Sequence, residues 1–458
     1  MGFKEYSFQD LLSNIVDNRG KTCPVTDSGI PLIATNCIKN DSLYPVYEKI
    51  RFVYDETYQN WFRGHPEPED IIFVCKGSPG RVAWTQNPVP FCIAQDMVSI
   101  RANKDLVLPK YLFALLRSPK TQKKIEDMHV GSLIPHFKKG DFKNLYLNII
   151  EDKVIQQKIG DIYFSFCEKI ESNRQINQTL EAMAQAIFKS WFVDFEPVKA
   201  KIAVLENGGT EDDANLAAMQ AISGKTADQL ATLKTQHLDQ YQQLHHTASL
   251  FPTAMQTTEL GEIPAGWQVK SLDAVAHYQN GLALQKFRPE DENDFLPVVK
   301  IAQLKKGFTD GEEKASPNIN PSCIIDDGDV IFSWSGSLVV DIWCGGKAAL
   351  NQHLFKVTSE DYPKWFYYYF TKHHLDEFQR IAQAKAVTMG HIKREHLKQA
   401  LCAVPANDLI RNLGIRIQSQ LDKAIASRLE NRTLTELRDT LLPKLLSGEL
   451  QISTKDAR

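Results

Sequence analysis

Residues 170–197, IESNRQINQTLEAMAQAIFKSWFVDFEP, decide how this chain is read. They close a helical run that begins near Asp152. Apolar residues fall at Ile159, Ile162, Phe166, Ile176, Leu180, Met183 and Ile187, in steps of three and four with one gap. That spacing predicts the seam of an amphipathic or coiled-coil helix. Trp191 and Phe192 end the seam, and Pro197 is expected to stop the helix. A run from Asp152 to Phe192 would be about 60 Å long at the helical rise, the length of a spacer more than of a core helix. Asn173 would lie on this seam if the heptad is continuous, where it would fix register, or at the seam's edge, where it would reach water.

The stretch has an echo. Residues 426–450 read ASRLENRTLTELRDTLLPKLLSGEL. At a fixed offset Arg174 meets Arg428, Asn177 meets Asn431, Thr179 meets Thr433 and Leu180 meets Leu434. Met183, Ile187 and Trp191 meet Leu437, Leu441 and Leu445. Helical composition could supply the leucines, but an R-x-x-N-x-T-L string in register points to two copies of one helical element.

What precedes each copy is repeated too. Before the first, PLIATNCI, DIIFVCK and FCIAQDMVSI read as strands, LPKYLFALLRSPKTQKKIEDM as a helix, and FQDLLSNIVD as an opening helix. Before the second, LPVVKIAQLKKG, DDGDVIFSWSGS, KAALNQHLFKV, YPKWFYYYFTKHHLDEF and TMGHIKREHLKQ follow the same course, with Gln352 matching Gln95 and His391 matching His136. Several matches in one order mark an internal duplication. The predicted fold class is α/β (α+β). Two globular domains, 1–150 and 258–405, are separated by two long antiparallel coiled-coil helices, 151–197 and 406–450, in an internal two-fold repeat. Residues 198–257 read as an added helical hairpin or a linker, and 451–458 as a tail.

Composition sets bounds. Apolar content of 43% and charged content of 24% suit a soluble globular chain. There is no run of about 18 apolar residues, the N-terminus lacks the pattern of a signal peptide, and a cytoplasmic location is expected. The eight cysteines are scattered without C-x-x-C, so they read as thiols and not as a zinc site or disulfide framework. The net charge of −3 gives no general attraction to nucleic acid, so local patches must decide.

Catalytic strings are missing: no Walker A, no G-x-G-x-x-G and no H-E-x-x-H occurs. No metal ligand set, no cofactor site and no catalytic residue is predicted. Binding features are present. CKGSPGR supplies Lys76, Ser78 and Arg81 on a glycine turn, and SWSGS supplies Ser333, Ser335 and Ser337, with Lys347 beyond. Hydroxyls and cations on such turns can read base edges or grip phosphate; they can also be the solvated residues of an ordinary hairpin. A second pair of strings places Ser132, His136, Lys138 and Lys139 in one unit opposite Thr388, His391, Lys393 and Arg394 in the other, at a helix start. The aromatic run WFYYYF at 365–370 is predicted to be core.

The motifs NQTLEAMAQAIFKSWFVDFEPVKAK, ELGEIPAGWQVKSL and NRTLTELRDTLLPKLLSGEL resemble specificity subunits of Type I restriction-modification systems, as do FSWSGS, NQHLFKV and TMGHIKREHLK. The resemblance spans nearly the whole chain. It implies a non-catalytic subunit whose two target recognition domains each read half of a bipartite, asymmetric double-stranded DNA target. It implies helices that space the domains and dock two modification subunits. Those subunits carry S-adenosylmethionine and methylate adenine N6; a restriction subunit using ATP and Mg may join, and the chain itself holds no cofactor. Asn177, Leu180, Trp191 and Phe192, with Asn431, Leu434, Leu441 and Leu445, are the expected spacer and docking residues. A coiled-coil protein scaffold without DNA binding is the alternative, but it has no need of the duplicated turn-and-basic strings.

Overall fold

The computed structural model describes residues 2–18, 22–128, 135–384 and 390–452. Two units divide the chain, residues 1–174 with 431–458 and residues 175–430. The division falls inside both long helices, Lys153–Phe192 and Asn407–Ser447. Each unit thus holds one globular part and a portion of each helix.

In the first unit a sheet runs in the order Leu12–Val16, Met97–Ala102, Ile71–Val74, Val82–Trp84, antiparallel throughout. The strand Ile71–Val74 is buried at every residue. Its two-residue period splits it: Ile71 and Phe73 enter one core, Ile72 and Val74 another. Phe3–Ser7 pairs with Tyr146–Ile150 and draws the ends of the globular part together. The second unit repeats the plan. Its sheet runs His277–Asn280, Leu354–Thr358, Val330–Ser333, Val340–Ile342, and Gln268–Ser271 pairs with Leu401–Val404. Each unit also has a small second sheet with one parallel pair, Ile30–Ile33 with Cys92–Ile93 and Leu296–Val299 with Ala348–Leu350.

The long helices are built into these units. In the first, Ile155, Ile159, Tyr163, Cys167, Leu442 and Leu445 share one core. Arg438 lies over the Tyr163 ring at 5.9 Å, and Asn173 Nδ2 donates to Asn431 Oδ1 at 2.9 Å. Pairing 163 with 438 and 173 with 431 makes the helices antiparallel within this unit. In the second unit, Ala184, Phe188, Trp191 and Phe192 share a core with Leu409, Leu413, Ile417 and Leu421. The aromatic run of Lys364–His373 is buried from Trp365 to Phe370.

Two glycines permit this packing. A Cβ on Gly160 would lie 2.9 Å from Lys110 Cβ and from Tyr111 N, and one on Gly414 would lie 2.6 Å from Trp365 Nε1. Both long helices therefore have a glycine where another helix approaches most closely, and the two sit at the same step of the repeat.

The structure departs from the sequence expectations in three places. FQDLLSNIVD is not a helix: Phe8 and Leu11 are buried in a turn, and Leu12–Val16 is a strand. Its β-branched Ile15 and Val16 pair with Ile100 and Ser99, so sheet pairing overrides the helical spacing. The aliphatic seam is displaced, because Ile176 and Met183 are 40% and 48% exposed. Ile159 is buried as expected, and the buried face also runs through Tyr163, Cys167, Asn173 and Ala184, residues that an aliphatic count omits. Asn173 is on that face, buried and paired. The first long helix ends at Phe192, as expected, and Pro197 occupies the first turn of a separate helix, Glu196–Glu206, where a missing N–H costs nothing. Residues 196–249 form four helices, not one hairpin. They belong to the second unit's core through Met219, Ile222, Leu230 and Leu244, and the Lys201 ammonium donates at 2.8 Å to the carbonyl of Phe251, which follows the last helix and lies in the same core.

Candidate nucleic-acid interface

The two predicted strings of each unit, distant in sequence, are hydrogen-bonded to one another. In the first unit Gly77 N–H donates to the Pro135 carbonyl at 3.0 Å, and Phe137 N–H to the Cys75 carbonyl at 2.9 Å, so Lys76 bridges His136. In the second, Gly336 N–H donates to the Gly390 carbonyl at 2.8 Å, and Ile392 N–H to the Trp334 carbonyl at 3.0 Å, so Ser335 bridges His391. A third segment completes each frame. Cys75 and Lys76 N–H donate to the Asp96 carbonyl at 3.0 and 3.3 Å, and Trp334 N–H donates to the His353 carbonyl at 3.3 Å. Gly77 and Gly336 hold the turns open with φ of 85° and 65°, a conformation that L side chains avoid.

The frame carries uncompensated positive charge. Among the described residues Lys76, Arg81, Lys138 and Lys139 have no carboxylate partner, nor do Lys393 and Arg394 in the other unit. Lys138 and Lys393 are exposed. Their backbone N–H groups donate to the Asp141 carboxylate at 3.1 Å and to His396 Nδ1 at 2.9 Å, which caps the short helices Lys139–Asn144 and Arg394–Gln399.

Not every predicted residue faces outward. Ser333 is fully buried, and its hydroxyl donates to the carbonyls of Ser335 and Ser337 at 3.1 and 2.9 Å, which shapes the turn. Ser335 is buried, with its hydroxyl 2.9 Å from His353 Nδ1. Ser337 is exposed at the tip; Ser78 and His136 are half-buried, and His391 is exposed. Arg394 is held sideways: it donates to the Tyr278 carbonyl at 2.9 Å and lies 5.4 Å from the Phe355 ring centre. Lys347 is exposed but follows Gly346, whose N–H is bound by Asp327 near the Val330 end of the central strand, away from the turn. Ser132 and Thr388 lie outside the described residues.

Residues outside the predicted set also line the frame. Gln95 and Asp96, and their counterparts Gln352 and His353, stand beside the turn in each unit. The Gln95–Gln352 match was the available signal. In the second unit Arg288 and Lys300 border the same place, across a cavity of about 420 Å³.

On the helices, Trp191, Phe192 and Leu445 are buried in the cores of their own units, so they hold those units together and are not free to dock a partner. Asn177, Leu180, Asn431, Leu434 and Leu441 are partly buried. Met183 and Leu437, equivalent in the repeat, are 48% and 45% exposed.

Two copies of one β-rich module, each with a turn bonded to a segment that carries basic residues and each sharing two long helices, define a duplicated recognition protein. The profile of the Type I restriction modification DNA specificity domain matches residues 19–182 and 264–438. The chain is 31% identical over 387 residues to the Type I restriction enzyme HindI specificity subunit of Haemophilus influenzae, covering 81% of this chain and 84% of that protein. It is 24% identical over 404 residues to the MjaIX specificity subunit of Methanocaldococcus jannaschii, covering 84% and 78%. The crystal structure of a Type I restriction-modification S subunit from M. genitalium shares the fold, with a TM-score of 0.50, 14% identity and coverage of 97% and 96%. The chain belongs to the specificity subunits of Type I restriction-modification systems, a family of non-catalytic DNA-recognition components.

Proposed function

We propose that each unit's frame reads one half of a bipartite, asymmetric double-stranded DNA target, while the long helices dock two modification subunits. The observation that carries this reading is one backbone frame built twice with different side chains. Lys76 and Asp96 in one frame stand where Ser335 and His353 stand in the other. Equal frames with unequal donors and acceptors suit two half-sites of different sequence. The exposed cations Lys138 and Lys393, with Lys76, Arg81 and Lys139, supply phosphate contacts; Ser78, Ser337, His136 and His391 lie close enough to face bases.

Met183 and Leu437 support two dockings. An apolar side chain left about half exposed at the same step of both helices suits two equivalent partner contacts. Two such contacts on one chain strengthen each other through effective concentration. S-adenosylmethionine stays with the modification subunits, and ATP and Mg with a restriction subunit that joins the complex. No described helix is long and apolar enough to cross a membrane, and the complex works in the cytoplasm beside the DNA.

Co-expression with the modification subunit, followed by a genome-wide map of N6-methyladenine, tests the reading. The expected result is a split motif with one methylated adenine on each strand, one per half. A stable complex that methylates nothing would overturn it in favour of a protein scaffold.

A further inference from the structure

We propose that Gln95 and Gln352 are matched base-edge readers, each specifying an A·T pair in its own half of the target. The inference rests on the DNA-reading function proposed above and names residues within it.

Each glutamine directly precedes the residue whose carbonyl receives the turn's N–H, Asp96 in one unit and His353 in the other. Gln95 is exposed, and Gln352 is half-buried at the wall of the cavity of about 420 Å³ beside the turn. Several frame positions carry the same side chain in both units, and their chemistries separate them. Lys138 and Lys393 offer charge without direction. Ser78 and Ser337 accept or donate indifferently, and the role of His136 and His391 changes with tautomer. The amide alone presents a donor and an acceptor at fixed spacing, the complement of adenine N6 and N7 in the major groove. An amide kept in both frames, beside positions 76 and 96 that differ from 335 and 353, points to a feature common to two half-sites that differ elsewhere.

The second unit also aims its amide. Ser335 Oγ lies 2.9 Å from His353 Nδ1, and His353 Nε2 lies 3.4 Å from Gln352 Nε2. The Trp334 indole N–H donates to the Gln352 carbonyl at 3.2 Å and fixes the backbone. Arg288, exposed and without a carboxylate partner among the described residues, stands at the cavity rim, and Lys300 beside it is engaged by Glu313. Amides on the wall and a free cation at the rim suit a base edge with its phosphate alongside. His353 and Ser335 are positioning residues: they act on DNA through Gln352.

The test uses the full chain assembled with its modification subunit. Methylation maps are made for the wild type, Gln95→Ala, Gln352→Ala, Gln352→Glu and Ser335→Ala. The two alanine variants at glutamine are expected to relax one A·T position each, in different halves, by about 5- to 100-fold in discrimination. Gln352→Glu keeps the shape but replaces the donor with an acceptor, so preference at that position shifts toward a pair that offers the cytosine amino group. Ser335→Ala weakens discrimination at the Gln352 position and nowhere else, which a general loss of stability would not do. An assembled Gln352→Ala or Gln352→Glu complex with the wild-type motif overturns the inference while leaving the split-target function intact. So does relaxation at a G·C pair, or relaxation spread evenly over a half-site. A wild-type complex that methylates no split motif removes both.

Discussion

Arg428→Ala should cost the second unit about 2–3 kcal/mol. The guanidinium meets Asp341 through two parallel bonds, Nη1 to Oδ1 and Nη2 to Oδ2, both 2.9 Å. A fork of this kind is the strong form of an ion pair. Hydrogen bonds to charged groups contribute about 1.5–3 kcal/mol each where water is excluded. Here the two side chains are 30% and 32% exposed, so water replaces part of the loss, and Asp341 keeps its bond from Ile342 N–H at 2.8 Å. For a unit of this size each kcal/mol moves the midpoint by about 2–4 °C, so the expected drop is roughly 4–12 °C. Scanning calorimetry of the whole chain reads it, and only the transition of the second unit should move. Arg428→Lys keeps the charge without the fork and should lose less. Asp341→Ala alone should resemble Arg428→Ala, and the double variant should cost clearly less than the sum. Strict additivity, or a shift under about 2 °C, would refute the argument. The equivalent Arg174→Ala is the contrast. Its ion pair with Asp41 spans 3.5 Å with side chains 34% and 63% exposed, a geometry worth under about 1 kcal/mol, so its effect rests on the bonds to the Asp41 carbonyl and Ser42 hydroxyl at 2.7 and 3.1 Å.

Gly414→Ala should destabilise the second unit by about 1–3 kcal/mol, because its Cβ would lie 2.6 Å from Trp365 Nε1 in a filled core; a denaturant midpoint equal to wild type would contradict the close approach. His374 is held down to about 4 from its ordinary 6.5, first by burial and then by the neighbouring His373. The fold keeps it neutral while the unfolded chain accepts a proton. Its contribution is therefore complete above pH 6.5 and is withdrawn as pH falls toward 4, by about 1.4 kcal/mol per unit at most. His374→Gln should flatten that part of the stability profile, and an unchanged slope would show that other groups set it. Lys138→Ala together with Lys393→Ala should lower the slope of log K against log salt for DNA binding by the assembled complex, by about 0.9 for each phosphate no longer neutralised. An unaltered slope would remove both lysines from the interface.

Period and repetition were legible in the sequence; close approach and side-chain direction were not. The duplicated order of strands and helices is that of the structure, because buried strands such as IIFV and VIFS announce themselves by apolar runs between turn residues. The aromatic run at 365–370 is core, as its density predicts. The face of the long helix was misplaced because each part of it is covered by both a globular part and the other helix. Burial on two sides recruits Tyr163, Cys167 and Ala184, which break an aliphatic count, and leaves Ile176 and Met183 outside. Nothing in the sequence marks Gly160 and Gly414 as packing positions, and only the proximity of Tyr111 and Trp365 explains them. At the candidate interface, residue types were legible as small polar and basic groups on turns. Ser333 could not be told from Ser337 by sequence, because the alternation of a strand running into a turn decides which hydroxyl points inward.

The repeated helical string then has a physical reading. Its arginine is the same residue at the same step of both helices, yet it grips Asp41 in one unit and Asp341 in the other, positions that do not correspond in the duplicated domains. Asp341 lies on the strand Val340–Ile342, which follows the turn at 333–337. Asp41 lies in the segment whose Ser42 carbonyl also receives the buried Arg117 guanidinium. A long guanidinium reaches carboxylates in different places without moving its helix. The helix can thus keep one sequence while each globular part varies to suit its own half-site, provided that each part offers a carboxylate within reach. The arginines and the two glycines hold the domains to the helices; the side chains at 76, 96, 335 and 353 are free to differ. Exchanging the globular part of one unit for that of another family member should therefore transplant a half-site while preserving stability only if a carboxylate is retained within reach of Arg174 or Arg428. A chimera lacking that carboxylate but as stable as its parents would show that the clamp is dispensable.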